Sequence, residues 1–158
     1  MTRLIATALL LAALLTGCGA TIPTDPDGTL DRVTSTGVLR VGVSPNPPWT
    51  IVTSQEAPPR GTEAELVGEF AESLGAEIEW TVGGEEALVG ELERGQLDLV
   101  IGGLTARSPW SQKAALTYRY TTAVGPEGTE ELHVMAAPMG ENAFLVELEH
   151  FLLGKDLV

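Results

Sequence analysis

The spacing of apolar positions changes period several times along the chain, and each change marks an element. Leu4–Leu15 is apolar throughout except for Thr7. Polar and turn-forming residues follow, from Gly19 to Gly28, with Pro23, Pro26, Asp25 and Asp27 among them. Leu30 to Thr36 reads as a short helix ended by Gly37. Val38–Val43 is a β-branched run between Gly37 and the Pro45/Pro47/Pro48 cluster, which predicts a strand. After Gly61, Leu66, Phe70 and Leu74 recur at i, i+4 and i+8, with Val67 and Ala71 beside them, predicting a helix over Glu63–Leu74 that Gly75 ends. Glu77–Val82 alternates strictly, with Ile78, Trp80 and Val82 on one face, as in a half-buried strand. Glu85–Arg94 predicts a second helix with Leu88 and Leu92 inward and two glutamates at its positive end. Leu97–Ile101 is almost wholly apolar, the pattern of a central strand buried on both faces, with Asp98 as its exception.

Strand, helix, strand, helix, strand, joined by short connections, predicts an α/β fold: an open, mainly parallel sheet with helices on both faces. Leu132–Ala136 is expected to join the sheet begun by Val38–Val43, and Thr121–Glu131 to be an acidic loop. Glu141–Leu153 carries Phe144, Leu148, Phe151 and Leu152 on one face, flanked by Leu145, and predicts an amphipathic helix against the sheet. In such sheets ligands sit beyond the carboxyl ends of the strands. Two segments occupy those ends: Ser44–Trp49 after the first strand and Gly102–Arg107 after the third.

Composition narrows the chemistry. The chain has 158 residues, with 9 Lys+Arg against 22 Asp+Glu and a formal net charge of −13. That balance speaks against nucleic acid as a partner, since phosphate binding needs clustered cations. With one cysteine and two histidines, neither an intramolecular disulfide nor a cysteine-rich metal site is expected, and no metal or cofactor is assigned. The apolar run at Leu4–Leu15 is shorter than the ~20 residues a membrane-spanning helix needs, so residues 1–17 read as a signal peptide. Catalysis finds little support. The glutamates at 63, 65, 85 and 86 stand at helix starts, where carboxylates usually serve the helix dipole. His133 falls in an apolar strand and His150 on the last helix. No catalytic residue is assigned, and the chain is not expected to be an enzyme.

Two resemblances add to these readings. Leu15-Thr16-Gly17-Cys18, directly after the apolar run, resembles the lipobox of bacterial lipoproteins. It implies cleavage before Cys18 and diacylglycerol on its sulfur; the prolines, glycines and aspartates that follow read as a flexible tether over residues 18–28. Gly37-Val38-Leu39-Arg40-Val41-Gly42-Val43, Pro47-Pro48-Trp49, Leu92-Glu93-Arg94-Gly95-Gln96-Leu97-Asp98, Gly103-Leu104-Thr105 and Leu116-Thr117-Tyr118-Arg119-Tyr120 follow the order seen in the amino-acid-type family of extracytoplasmic solute-binding proteins. The resemblance implies one lobe of the type II periplasmic binding protein fold over residues 29–158. It also implies that the family's second lobe is absent, with a short connection over residues 121–131 in its place.

The resemblance also nominates ligand-binding residues. Trp49 stands where the family places an aromatic side chain near the ligand; the alternative is a loop tryptophan capping the core. Asn46 offers a donor and an acceptor, or is a turn residue. Thr105 matches a position whose hydroxyl and backbone receive an α-amino group, with the Gly103 carbonyl nearby. The family's carboxylate-gripping arginine is replaced by Trp110, which with Trp49 points to a flatter or more apolar ligand than a standard α-amino acid, or else packs on the lobe at a helix start. Arg107, three residues earlier, either substitutes for it or is solvated. Asp98 is expected to satisfy backbone groups rather than touch a ligand.

The function implied is recognition of a small organic solute, amino-acid-like or otherwise polar, by a lipid-anchored protein on the outer side of a membrane, linked to ABC-type transport. An ABC permease or a second copy of the chain would be its protein partner. The alternative is an interaction module whose open lobe face, marked by exposed tryptophans, binds a membrane protein or another copy. Half a cleft forfeits contact, so a lone lobe is expected to bind weakly unless a partner completes the wall.

Overall fold

A computed structural model describes residues 25–54, 56–125 and 127–155. The signal segment, Cys18 and the tether up to residue 24 lie outside the described residues. Among the described residues, four helices and seven strands follow in the order α1 (Thr29–Thr36), β1 (Val38–Val43), α2 (Thr62–Ser73), β2 (Glu77–Val82), α3 (Glu85–Glu93), β3 (Leu99–Ile101), β4 (Ala115–Leu116), β5 (Thr121–Val124), β6 (Glu130–His133), β7 (Ala136–Ala137) and α4 (Asn142–Leu153).

Five strands form one sheet in the order β2-β1-β3-β7-β4. β1 pairs parallel with β2 and β3, and β7 runs antiparallel to both β3 and β4. Each face carries its own core. Leu39, Val41, Val43, Leu99 and Ile101 meet α1, α2 and α4 through Val33, Phe70, Phe144 and Leu148. Val100 and Ala136 point the other way, onto Leu88 and Leu92 of α3. The alternation of strand side chains sends neighbours to opposite faces, which is why β3 must be apolar throughout. Gly42 makes room on the α3 side: a Cβ there would stand 2.7 Å from Leu97 and 3.0 Å from Leu88.

Asp98, the polar interruption before β3, is fully buried and accepts hydrogen bonds from the Arg40 backbone N–H at 2.9 Å and the Arg40 guanidinium at 2.6 Å. The Arg32 guanidinium closes on the same carboxylate. Its role is therefore structural: it ties the start of β1 to α1 and to the entry of β3.

Two expectations change. Thr121–Glu131 is not a loop, because Thr121–Val124 pairs with Glu130–His133 as an antiparallel hairpin. The predicted strand Leu132–Ala136 is accordingly split. Its first half belongs to that hairpin; only its end joins the sheet begun by β1, as β7, next to β3. The chain bends at Val134 and Met135, both buried, so both halves stay in contact with the body.

Residues 25–28, assigned by sequence to the tether, are bound to the domain. Asp25 accepts from the Leu30 N–H at 2.9 Å and, more weakly, from the Phe144 N–H at 3.4 Å. Glu141, just before α4, accepts from the Asp27 and Thr29 N–H groups, both at 2.8 Å. Glu141 thus serves the start of α1, and Asp25 serves chiefly the start of its own helix and more weakly that of α4, where free N–H groups and the positive dipole end favour an anion.

Candidate functional site

The carboxyl ends of β1 and β3 open into two loops, and a buried glutamate holds them together. Beyond β1, Asn46 and Thr50 exchange backbone hydrogen bonds at 2.9 and 3.0 Å, closing a tight loop around Pro47, Pro48 and Trp49. The Thr50 hydroxyl donates to the Ser44 carbonyl at 2.5 Å and accepts from the Asn46 N–H at 2.9 Å. Gly61 allows the chain to pass beneath this loop. It has φ 106°, and a Cβ there would lie 2.5 Å from the Trp49 carbonyl oxygen. The Glu63 N–H then donates to the same carbonyl at 3.1 Å.

Glu63 itself is 0 % exposed. One carboxylate oxygen accepts from the N–H groups of Gly102 and Gly103, each at 2.8 Å. The other accepts from the Tyr120 hydroxyl at 2.6 Å. The start of α2, the turn after β3 and the segment entering the hairpin are thus fixed to one side chain. Burial pushes the Glu63 carboxyl above its ordinary range, against the three donors that favour its charge. Burial and the nearby Glu63 charge push the Tyr120 phenol up in turn, so it stays a donor.

Gly103 lies at the centre of the face. It has φ 67°, and a Cβ there would stand 2.4 Å from the Asn46 amide nitrogen and 2.7 Å from the Trp49 ring. Only glycine accommodates both the left-handed backbone and the close indole. Asn46 donates its side-chain amide to the Gly102 carbonyl at 2.9 Å, linking the two loops. Thr105 follows, with its N–H bonded to the Ser108 hydroxyl at 3.0 Å and its own hydroxyl accepting from the Arg107 N–H at 3.3 Å.

The hairpin forms the remaining wall. Val134 donates to the Leu104 carbonyl at 3.0 Å and Ala106 to the Leu132 carbonyl at 2.8 Å, so the second hairpin strand is stitched to the Thr105 loop. A groove of about 590 Å³ results, lined by Asn46, Trp49, Gly103 and Thr105 on one side and by Ala123, Val124 and His133 on the other. His133 is 2 % exposed, its ring centroid 3.8 Å from that of Trp49 with the planes 31° apart. Neither of its ring nitrogens has a protein partner. Burial lowers its pKa, with Glu131 and the nearby Leu104 backbone acting in the opposite sense, so the neutral imidazole is the favoured form under the indole.

The structure therefore brings four of the six nominated residues, Asn46, Trp49, Gly103 and Thr105, onto one groove. Arg107 borders an adjoining cavity of about 350 Å³ together with Thr105 and Arg119. Trp110 is elsewhere: its indole N–H donates to Glu85 at 2.9 Å, and its ring packs against the α3 core. Neither Trp49 nor Trp110 is fully exposed, so the face has no patch of bare tryptophans. Two residues of the site escaped the sequence reading. Glu63 stands on the buried stripe of α2 with Leu66, Val67 and Phe70, and a charged residue in register with an apolar stripe is the signal that marks it. His133 carries no comparable signal, because its neighbour Trp49 is distant in sequence.

Comparison with known proteins agrees with this geometry. Residues 39–128 match the family model of bacterial extracellular solute-binding proteins, family 3. The arginine-bound form of domain 1 from TmArgBP superposes with a TM-score of 0.68 at 25% identity, covering 79% of this chain and 98% of that one. An ancestral cationic amino acid solute binding protein has the same fold, with a TM-score of 0.68 at 15% identity over 79% of this chain and 92% of that one. Among curated proteins, the membrane-bound lytic murein transglycosylase F of Vibrio cholerae serotype O1 is 34% identical over 97 residues, 61% of this chain but only 18% of that protein. The match to the family model runs from β1 to the hairpin and takes in both loops of the groove: the chain belongs to the bacterial extracellular solute-binding proteins, family 3.

Proposed function

We propose that the chain is a single solute-binding lobe that takes a small polar organic solute, of amino-acid type, on the groove between Trp49, Gly103, Thr105 and the hairpin. The observation that carries this reading is the Glu63 carboxylate, which joins the turn after β3 to the segment entering the hairpin, while its own backbone N–H holds the Trp49 loop. Binding groups fixed before the ligand arrives lose little freedom on binding. Trp49 supplies an aromatic face for a planar or cationic group, and Thr105 and Gly103 supply polar edges. A domain 1 described as arginine-bound, which this chain covers almost entirely, supports the view that one lobe suffices to hold a solute. We further propose that lipid on Cys18 keeps the lobe at the outer surface of a membrane, where it serves ABC-type transport. The test is intrinsic fluorescence of the full chain in detergent during titration with L-arginine and with neutral and acidic amino acids. A saturable change that Trp49→Ala abolishes is expected, and equal responses in both proteins would refute the site.

A second reading, an interaction module, is favoured by Val124, which is 78 % exposed at the groove rim. An apolar side chain there suits a protein partner or a second copy. Light scattering on the eluting full chain separates the two: a monomer that binds solute supports the first, and a solute-blind dimer broken by Val124→Glu supports the second.

A further inference from the structure

We propose that His133 is a solute-contacting residue of the groove, whose imidazole accepts a hydrogen bond from an N–H donor — an amine, amide or guanidine group — of the solute lying against Trp49. The proposal rests on the reading of that groove as solute-binding and adds a residue that selects among solutes. His133 comes from β6 of the hairpin, not from the loops at the ends of β1 and β3. Its backbone is held on both sides. It pairs with Thr121 of β5 and bridges to Thr105, and its carbonyl accepts from the Tyr120 N–H at 3.1 Å. The ring borders the groove and is almost wholly buried. A neutral imidazole carries one N–H donor and one lone-pair acceptor, and neither nitrogen meets a polar partner among the described residues. Buried polar side chains nearly always have a partner. A wall that only had to pack against Trp49 would be better served by phenylalanine, which brings no unmet polar atom.

Glu131 decides what kind of group meets the ring. It lies two residues before His133, so both side chains leave the same face of β6, and both line the groove. Its carboxylate rests against Gly125, where a Cβ would stand 2.4 Å from a carboxylate oxygen. The ion pairs among the described residues are made by Asp98 and Glu69 instead. Among the described residues that line the groove, Glu131 is the one charged side chain. A solute group close to both side chains is therefore favoured if it brings hydrogens and disfavoured if it is an anion, which makes the imidazole the acceptor. Trp49 controls access. Its indole covers one face of the imidazole, with centroids 3.8 Å apart, while imidazole hydrogen bonds run in the plane of the ring. The indole is half-buried. By turning it uncovers the ring edge, while the loop backbone stays in place, held by the Glu63 N–H and the Thr50 hydroxyl.

The experiment follows the imidazole nitrogens in long-range proton–nitrogen magnetic resonance spectra of the full chain in detergent, at a pH above the ordinary histidine range. The probes are L-arginine and L-glutamine, with trimethylglycine, which has no N–H, as the control. The chain has two histidines, and His150, exposed on α4, is the internal reference. The unprotonated nitrogen of His133 is expected to shift saturably with L-arginine or L-glutamine, with the same constant as the Trp49-dependent fluorescence change, while His150 stays still. His133→Phe should weaken binding about tenfold with its unfolding midpoint at that pH retained, and His133→Gln, which restores an acceptor, should recover part of the loss. A saturating fluorescence change with the His133 nitrogens unmoved, or with equal affinity in a folded His133→Phe, would overturn the proposal and leave the groove. An equal His133 shift with trimethylglycine would overturn it too. Should His133→Phe not fold, the nitrogen shifts of the unmodified chain decide by themselves. Silence of both signals toward both amino acids defeats the groove reading and the proposal with it.

Discussion

Glu63 and His133 show how much of a site can rest on buried polar side chains that touch no solvent. Glu63 satisfies two backbone N–H groups and one phenol. A buried donor left without a partner costs ~1–3 kcal/mol. Glu63→Ala is therefore expected to destabilise the fold by about 3–5 kcal/mol in denaturant unfolding, and to loosen both loops. His133 works in the opposite sense, since its neutral ring is the form the core accepts. Its native pKa is lowered by burial. The stability it contributes is therefore complete above the ordinary histidine range and is lost as pH falls through the lowered native value. His133→Phe keeps a ring against Trp49 and removes the titration. Its unfolding midpoint should fall less between neutral and mildly acidic pH than that of the unmodified chain. These two roles were differently legible in the sequence. Glu63 sits on an apolar stripe and so betrays burial, but its acceptors are 39 and 40 residues away, and no local pattern reveals that pairing. Trp110 misled for a related reason: a family position suggested the groove, while the nearby Glu85 at the start of α3 holds its indole on the opposite core.

At the scale of elements, the helices and the first three strands were readable because their signals are local. Apolar spacing fixes the buried face, and Gly37, Gly75 and Gly95, all with positive φ, end or follow α1, α2 and α3. The hairpin was not readable. Glu130 and Glu131 look like loop residues, and only pairing with Thr121–Val124 and stitching to Leu104 and Ala106 make them a strand. Strand pairing of this kind is decided by tertiary context rather than by propensity. The start of the domain was likewise misjudged, since Asp25 and Asp27 read as tether yet belong to the reciprocal arrangement with Glu141. Glu141→Ala removes the acceptor of two N–H groups at the start of α1 and is expected to cost about 2 kcal/mol. Amide hydrogen exchange should show the loss concentrated in α1 and α4. Uniform acceleration across the sheet would mean that the contact is global rather than local.

For the described residues as a whole, a single lobe faced by a hairpin changes what binding can look like. A two-lobed protein closes on its ligand, whereas among the described residues a five-stranded sheet with a core on each face is met by a hairpin as a partial opposing wall. The hairpin replaces what the sequence suggested was a bare connection, and it removes part of the reason to expect feeble binding by a lone lobe. Binding should then proceed without a large change in shape, since the loops are already held by Glu63. The most direct measurement is a calorimetric titration of the full chain in detergent with L-arginine and a panel of other amino acids, read for stoichiometry. One solute per monomer is expected, with affinity reduced about tenfold or more in Trp49→Ala. One solute per two chains, or no heat from any amino acid, would contradict a lobe that binds its solute alone.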